Sequence, residues 1–282
     1  MGKYFTSFDK TQIYYEHVKG KKDTTLVFLH GVGCNLSIWK KEIDCFQNLG
    51  FSTLAFDFRG HGRSDIPGEF NKYQMEYFVN DLHLLLAKKK ITNFIFLGFS
   101  LGGAIATFYC MLKKDNLPKS IVFIDAATVY PFPSNRLLNM NPYIVHLLRF
   151  IANHKPTRNQ NKYLGKFDFS RKNVKADVDL ILYLLHITPL QTIVNTLDNT
   201  EKFFFKNRSL IDKTFKNLNI PALVISAQYD EVIPTRFSKR IVRLDKRAEF
   251  KLIKNAHHKV IIERPEDVNV CIYEFFKDKH FV

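Results

Sequence analysis

Cysteine is scarce in this chain: Cys34, Cys45, Cys110 and Cys271 are the only four in 282 residues, and no two form a C-x-x-C pair. That spacing excludes a zinc-finger or disulfide framework and leaves free thiols in a reducing compartment as the expectation. No stretch approaches the roughly 18 uninterrupted apolar residues of a membrane-spanning helix. The opening residues Met1-Gly2-Lys3-Tyr4-Phe5 carry charge but lack the apolar core of a secretory signal. A cytoplasmic protein is expected from both absences. Glycine (12) and proline (10) are too few for a collagen-like or low-complexity chain. Acidic residues are also in short supply, 27 against 42 Lys and Arg, which leaves a net charge of +15. The excess lies in short separate runs, such as Lys88-Lys89-Lys90, and no nucleic-acid module accompanies it, so no nucleic-acid partner is expected. The charge does fit a transient attraction to an anionic membrane surface.

Hydrophobic residues make up 46% of the chain and charged residues 24%, an ordinary globular balance on a length that can bury a large core. From Tyr4 to Val18 apolar and polar residues roughly alternate around Phe8-Asp9-Lys10-Thr11, the pattern of an antiparallel hairpin. Beyond it the rhythm changes. Short, nearly continuous apolar runs at 25–29, 52–56, 93–97, 120–124, 222–226 and 249–253 read as strands buried on both faces. Amphipathic stretches of helical length, such as 74–90, 102–114 and 265–277, lie between or after them. The alternation predicts an α/β fold: a mostly parallel twisted sheet with helices on both faces.

Residues 128–215 break the alternation with helix-like apolar stretches and no convincing strand. The chain therefore divides into a core of residues 1–127, a helical cap or lid insertion at 128–215, and the rest of the core at 216–282. Tyr130-Pro131-Phe132-Pro133 and residues 144–151 and 180–190 give the insertion apolar surface, as the cover of an apolar pocket requires.

The 93–97 strand runs straight into Gly98-Phe99-Ser100-Leu101-Gly102-Gly103, and a helix is expected from about Ala104. A serine on such a strand-to-helix turn exposes its hydroxyl, the flanking glycines leave room for the cramped backbone, and the helix N-terminus favours developing negative charge. A serine hydroxyl is a weak nucleophile and needs a base, and the base needs a carboxylate to fix its tautomer. Asp230 follows the 222–226 strand in Ala227-Gln228-Tyr229-Asp230-Glu231-Val232-Ile233-Pro234. Asn255-Ala256-His257-His258 follows the last strand. His257 and His258 are both candidates for the base, and Asp125, at the end of the 120–124 strand, is an alternative to Asp230 as the acid.

The order Ser100, Asp230, His258 resembles that of the α/β-hydrolase superfamily, and the resemblance extends over almost the whole chain. His30-Gly31-Val32-Gly33 is similar to the HGxG segment of that family, and Asp57-Phe58-Arg59-Gly60-His61-Gly62-Arg63-Ser64 to its DxRGxGxS turn. His258, with Glu263-Arg264-Pro265 following, resembles the spacing after the base in relatives, although His257 stands where they often carry glycine. The insertion falls where the family places its cap.

The resemblance implies a Ser-His-Asp serine hydrolase of esterase or lipase type. In this reading Ser100 is the nucleophile, His258 the base and Asp230 the acid, and the backbone N–H groups of Val32 and Leu101 form the oxyanion hole. His30, Asp57, Arg59 and His61 are read as structural braces, and Trp39 as either core or pocket wall. Such chemistry requires no metal or organic cofactor. The expected substrate is a small-molecule ester with a hydrophobic acyl group, such as a monoglyceride. Carbon–carbon bond hydrolysis or acyl transfer on the same triad, and a non-catalytic ligand receptor of this fold, are the alternatives. Serine at the nucleophile position disfavours epoxide hydrolase and haloalkane dehalogenase chemistry.

Overall fold

The structure is a computed structural model, and it describes residues 2–131 and 188–282. The N-terminal hairpin pairs β1 (Lys3–Thr6) with β2 (Gln12–Val18) in antiparallel register, Phe5 opposite Ile13. The strands that follow are β3 (Thr25–Leu29), β4 (Ser52–Phe56), β5 (Phe94–Phe99), β6 (Ser120–Ile124), β7 (Ala222–Ala227) and β8 (Glu249–Ile253). Among the described residues they form one eight-stranded sheet in the order β1-β2-β4-β3-β5-β6-β7-β8, parallel from β4 onward. The apolar runs read from sequence are these strands to within two residues at either end. β3 to β7 are buried throughout because helices cover both faces. β8 differs from the expectation: as the edge strand it is half-buried at residues 249–251, exposed at Leu252 and buried only at Ile253.

Among the described residues, helices that pack on the sheet include α1 (Lys40–Asn48), α2 (Met75–Lys89), α3 (Leu101–Leu112), α5 (Thr235–Leu244) and α7 (Pro265–Asp278). They separate the core into two layers, one built around Phe56, Phe96 and Phe108, the other around Trp39, Phe46 and Phe276. Trp39 is fully buried, its ring 5.4 Å from Phe28, so it belongs to the core rather than to a pocket wall. A one-turn helix, α6 (Val260–Glu263), precedes α7.

The described end of the insertion is a 28-residue helix, α4 (Leu190–Asn217), which continues two residues beyond 215. Its C-terminal half is stacked onto the core through Phe203 and Phe204 against Phe108, at 4.2 and 5.1 Å, and through Phe215 against Phe123. Its N-terminal half instead buries polar side chains: Thr192 meets the Tyr73 hydroxyl at 3.1 Å, and Asn199 donates to the Phe70 carbonyl. The insertion's apolar stretch at 144–151, most of that at 180–190, and Phe132 and Pro133 lie outside the described residues. Among the described residues no helix is long and apolar enough to cross a membrane.

Candidate active site

All the parallel strands end on one edge of the sheet, and the loops that leave them there assemble the site. At the end of β5, Ser100 adopts φ 52° and ψ −114°, a conformation costly for a residue with a Cβ, and its N–H is tied to the Ile124 carbonyl of β6 at 3.0 Å. The two glycines two positions away on either side make this turn feasible: a Cβ at Gly98 would strike the backbone of Gly102 and Gly103, and one at Gly102 would strike the Leu29 carbonyl. α3 begins directly at Leu101, three residues before the expected start, because the turn needs Gly102 and Gly103 inside the helix despite their poor helix propensity.

Beyond β7, Asp230 is almost fully buried, and its Oδ1 accepts the N–H groups of Val232 at 2.9 Å and Ile233 at 2.7 Å. Its Oδ2 accepts from His258 Nδ1 at 2.8 Å. A carboxylate can only accept, so Nδ1 carries the proton and Nε2 is left as an acceptor; it faces the Ser100 hydroxyl at 3.2 Å. Phe99 lies against the imidazole, with the ring centres 5.1 Å apart. The three residues singled out in the sequence are thus brought into one hydrogen-bonded relay.

His257 points elsewhere. Its side chain is partly exposed, 3.8 Å from Glu231, while its N–H donates to Glu263 at 3.1 Å. Glu263 therefore fastens the loop that carries His258. A bulky residue is tolerated at 257 because the left-handed position of this turn is Asn255, with φ 53°. Asp125 makes no hydrogen bond to His258; its Oδ1 accepts from Ala227 N–H at 2.7 Å.

The 30–33 segment lies beside Ser100. A Cβ at Gly31 would press on the Phe99 ring at 3.0 Å and come 3.4 Å from the Ser100 Cβ. Thr188 tethers this loop by donating to the Gly33 carbonyl at 2.9 Å. Among the described residues, neither the Val32 nor the Leu101 amide is engaged in a turn or loop backbone hydrogen bond.

The flanking motif residues build the support. His30 is fully buried, donates from Nδ1 to the Gly31 carbonyl at 2.7 Å and accepts the Phe58 N–H at 3.0 Å on Nε2; burial, reinforced by His61, pushes it well below the usual imidazole range and keeps it neutral. Asp57 accepts from the amides of Leu36 and Arg63, both at 2.7 Å, joining the two loops. Arg59 is fully buried and forms a bidentate pair with Asp81, at 2.8 and 2.7 Å, plus a bridge to Asp9. His61 is buried with Nδ1 2.9 Å from the Arg59 carbonyl.

A cavity of about 270 Å³ opens at Ser100 and His258. Its described walls are largely apolar, supplied by Val32 and Leu101 below and by Tyr130, Leu197, Phe204 and Ile262 around. The wall residues Leu197, Thr200 and Phe204 were not singled out in the sequence, although they recur at helical spacing along one face of α4. Among the described residues, one group of His, Cys, Asp or Glu has metal-ligand spacing, Asp125, Asp230 and His258, with ligand atoms within 4.8 Å of one another. Two of its members already bond to each other in the relay.

A family model described as alpha/beta hydrolase fold matches residues 24–265. Protein ABHD8 of Mus musculus is 26% identical over 254 residues, which cover 90% of this chain and 55% of that protein. The chain thus spans about half the length of the curated relatives it first matches. Among solved structures, the esterase EaEST from Exiguobacterium antarcticum superposes with a TM-score of 0.76 at 19% identity, covering 98% of this chain and 100% of the other. A bromoperoxidase from Bacillus anthracis gives a TM-score of 0.77 at 20% identity over 98% and 100% of the two chains. At these identities both likenesses speak to the fold.

Proposed function

The chain belongs to the alpha/beta hydrolase fold family, and from that premise we propose that it is a serine hydrolase acting on a carboxylic ester with a hydrophobic acyl group. The observation that carries this reading is the relay Ser100, His258, Asp230 opening into an apolar cavity. His258 Nε2 takes the proton of Ser100 as its Oγ bonds to the ester carbonyl carbon. The carbonyl oxygen gains the displaced electron pair, and the amides of Val32 and Leu101 together with the N-terminus of α3 receive that charge. Collapse of the tetrahedral species expels the alcohol, which leaves with the proton held by His258. Water then attacks the acyl-serine, giving its proton to the same nitrogen, and Ser100 is released with the carboxylic acid product. Asp230 holds the imidazole in its reactive tautomer and stabilises the imidazolium throughout.

The acyl chain is assigned to the cavity between Leu101 and α4, where each buried methylene is worth about 0.8 kcal/mol, or up to about fourfold in kcat/KM. Initial rates on p-nitrophenyl esters from acetate to palmitate test this, with Ser100→Ala alongside. Rates should climb with chain length until the cavity is filled, and the variant should lose turnover on every ester. Full activity in Ser100→Ala would sink the mechanism, and a preference for acetate would sink the acyl assignment.

A further inference from the structure

A second carboxyl lies behind the relay. Asp125 ends β6 in a left-handed backbone conformation, φ 44°, and is fully buried. Its own N–H donates to the Ile225 carbonyl at 3.0 Å and its Oδ1 accepts from Ala227, so the residue stitches the end of β6 to β7 on both sides. Its Oδ2 is buried and has no donor among the described residues. One carboxyl oxygen each of Asp125 and Asp230 and one ring nitrogen of His258 lie within 4.8 Å of one another, and the Asp125 side chain is in hydrogen-bonding contact with that of Asp230.

Two carboxyls this close in a dry site cannot both ionise cheaply, and the hydrogen bonds determine where the proton sits. Asp230 collects three N–H donors, from Val232, Ile233 and His258, which stabilise a negative charge on it. Asp125 collects one. The charged or titratable groups facing Asp125 are Asp230 from the loop after β7, and His258 and Glu263 from the segment after β8. From α5, Arg240 is committed to Asp212, at 2.7 and 2.9 Å, and to the Thr128 hydroxyl. Burial, followed by the charge of Asp230, pushes Asp125 well above the usual carboxylate range. An oxygen without a donor becomes satisfied once it is itself the donor.

We propose that Asp125 and Asp230 share one proton, with Asp125 Oδ2–H donating to the Asp230 carboxylate, so that Asp125 is a positioning residue for the carboxylate that orients His258. The proposal rests on the serine hydrolase reading for its consequence, although not for its geometry. The pair presents a single negative charge to the imidazolium, and the extra donor adds to those of Val232 and Ile233 in holding Asp230 in place.

Asparagine separates the proton from the positioning. In Asp125→Asn the amide oxygen still accepts from Ala227 and the amide nitrogen still donates to Asp230, but nothing titrates. The infrared spectrum of the folded protein at neutral pH should contain the carbonyl absorption of buried protonated carboxylic acids, one component of which is lost in Asp125→Asn and kept in Glu42→Gln, while Glu42→Gln removes the separate component of Glu42. Ester turnover in Asp125→Asn should stay within about threefold of wild type, while Asp125→Ala loses tenfold or more, roughly, having no donor to offer. If Asp125→Ala fails to fold, the infrared difference and the Asn variant still decide the matter. An unchanged band in Asp125→Asn, or an Asn variant as impaired as the Ala variant, would overturn the shared proton. Ser100→Ala runs in parallel: turnover that survives it refutes the serine mechanism and leaves the infrared result standing on its own.

Discussion

Two buried polar clusters sit on either side of β3 and differ in one respect. Arg59, Asp81, Asp9 and Ser7 form a closed set: the guanidinium is bidentate on Asp81, reaches Asp9 at 3.0 Å, and the Ser7 hydroxyl completes Asp81. Every strong group there meets one of opposite character. Ser100, His258 and Asp230 form an open set, which faces a cavity through the Ser100 hydroxyl. The lesson is that both clusters carry familiar motif residues, yet only an unfinished network has a group left to offer a substrate. A finished one yields stability and fixed loops.

The largest separation between the two comes from His258→Ala, which should lower kcat on the best ester by on the order of 10⁴- to 10⁶-fold while changing unfolding free energy by about 1 kcal/mol or less. His257→Ala is the control at the next position: its side chain faces Glu231 and solvent, so turnover should stay within about threefold. A large loss in His257→Ala with little in His258→Ala would exchange their assignments.

Asp81→Ala tests the closed cluster from the other direction. It leaves the Arg59 guanidinium, whose side chain is 0% exposed, with Asp9 as its remaining counter-charge and the Lys72 carbonyl as a neutral acceptor. Removing one partner of a buried ion pair costs about 3–5 kcal/mol, so the denaturation midpoint should fall sharply. Below the new melting range, the specific activity of the folded protein should remain near wild type. A variant as stable as wild type but inactive would show that this cluster takes part in the chemistry.

These differences were unevenly written in the sequence. The parallel strands were legible because burial on both faces turns them into apolar runs, and the relay was legible because a strand-to-helix turn, an Asp loop and a His loop leave local signatures in a fixed order. What escaped depends on contacts between distant segments. The start of α3 was displaced by Gly102 and Gly103, residues that weaken a helix but are required by the approach of the Leu29 carbonyl to the first and of Ala126 to the second. The cavity face of α4 was obscured because the buried positions Thr192, Asn195, Thr196 and Asn199 are polar, so the apolar period fades where the helix begins. Proximity of Asp125 to Asp230 needs the β6–β7 register, in which Ile124 lies opposite Ile225, and no local pattern encodes it.

A third buried carboxyl sharpens the contrast, since it belongs to neither kind of cluster. Glu42 on α1 is 0% exposed, and neither carboxylate oxygen has a hydrogen-bond partner among the described residues. Burial, with the nearby charge of Glu266, raises it from 4.5 to about 8. Below pH 4.5 folded and unfolded chains both hold the proton, whereas between 4.5 and about 8 only the folded chain does. Folding stability therefore declines as pH rises through this window and levels off above it, by a few kcal/mol in all. Glu42→Gln should remove this component of the slope in denaturant titrations from pH 4 to pH 9 and leave ester turnover near wild type at neutral pH. A slope identical to that of wild type would mean that Glu42 finds a partner in solution, and the line between finished and unfinished networks would then have to be drawn without it.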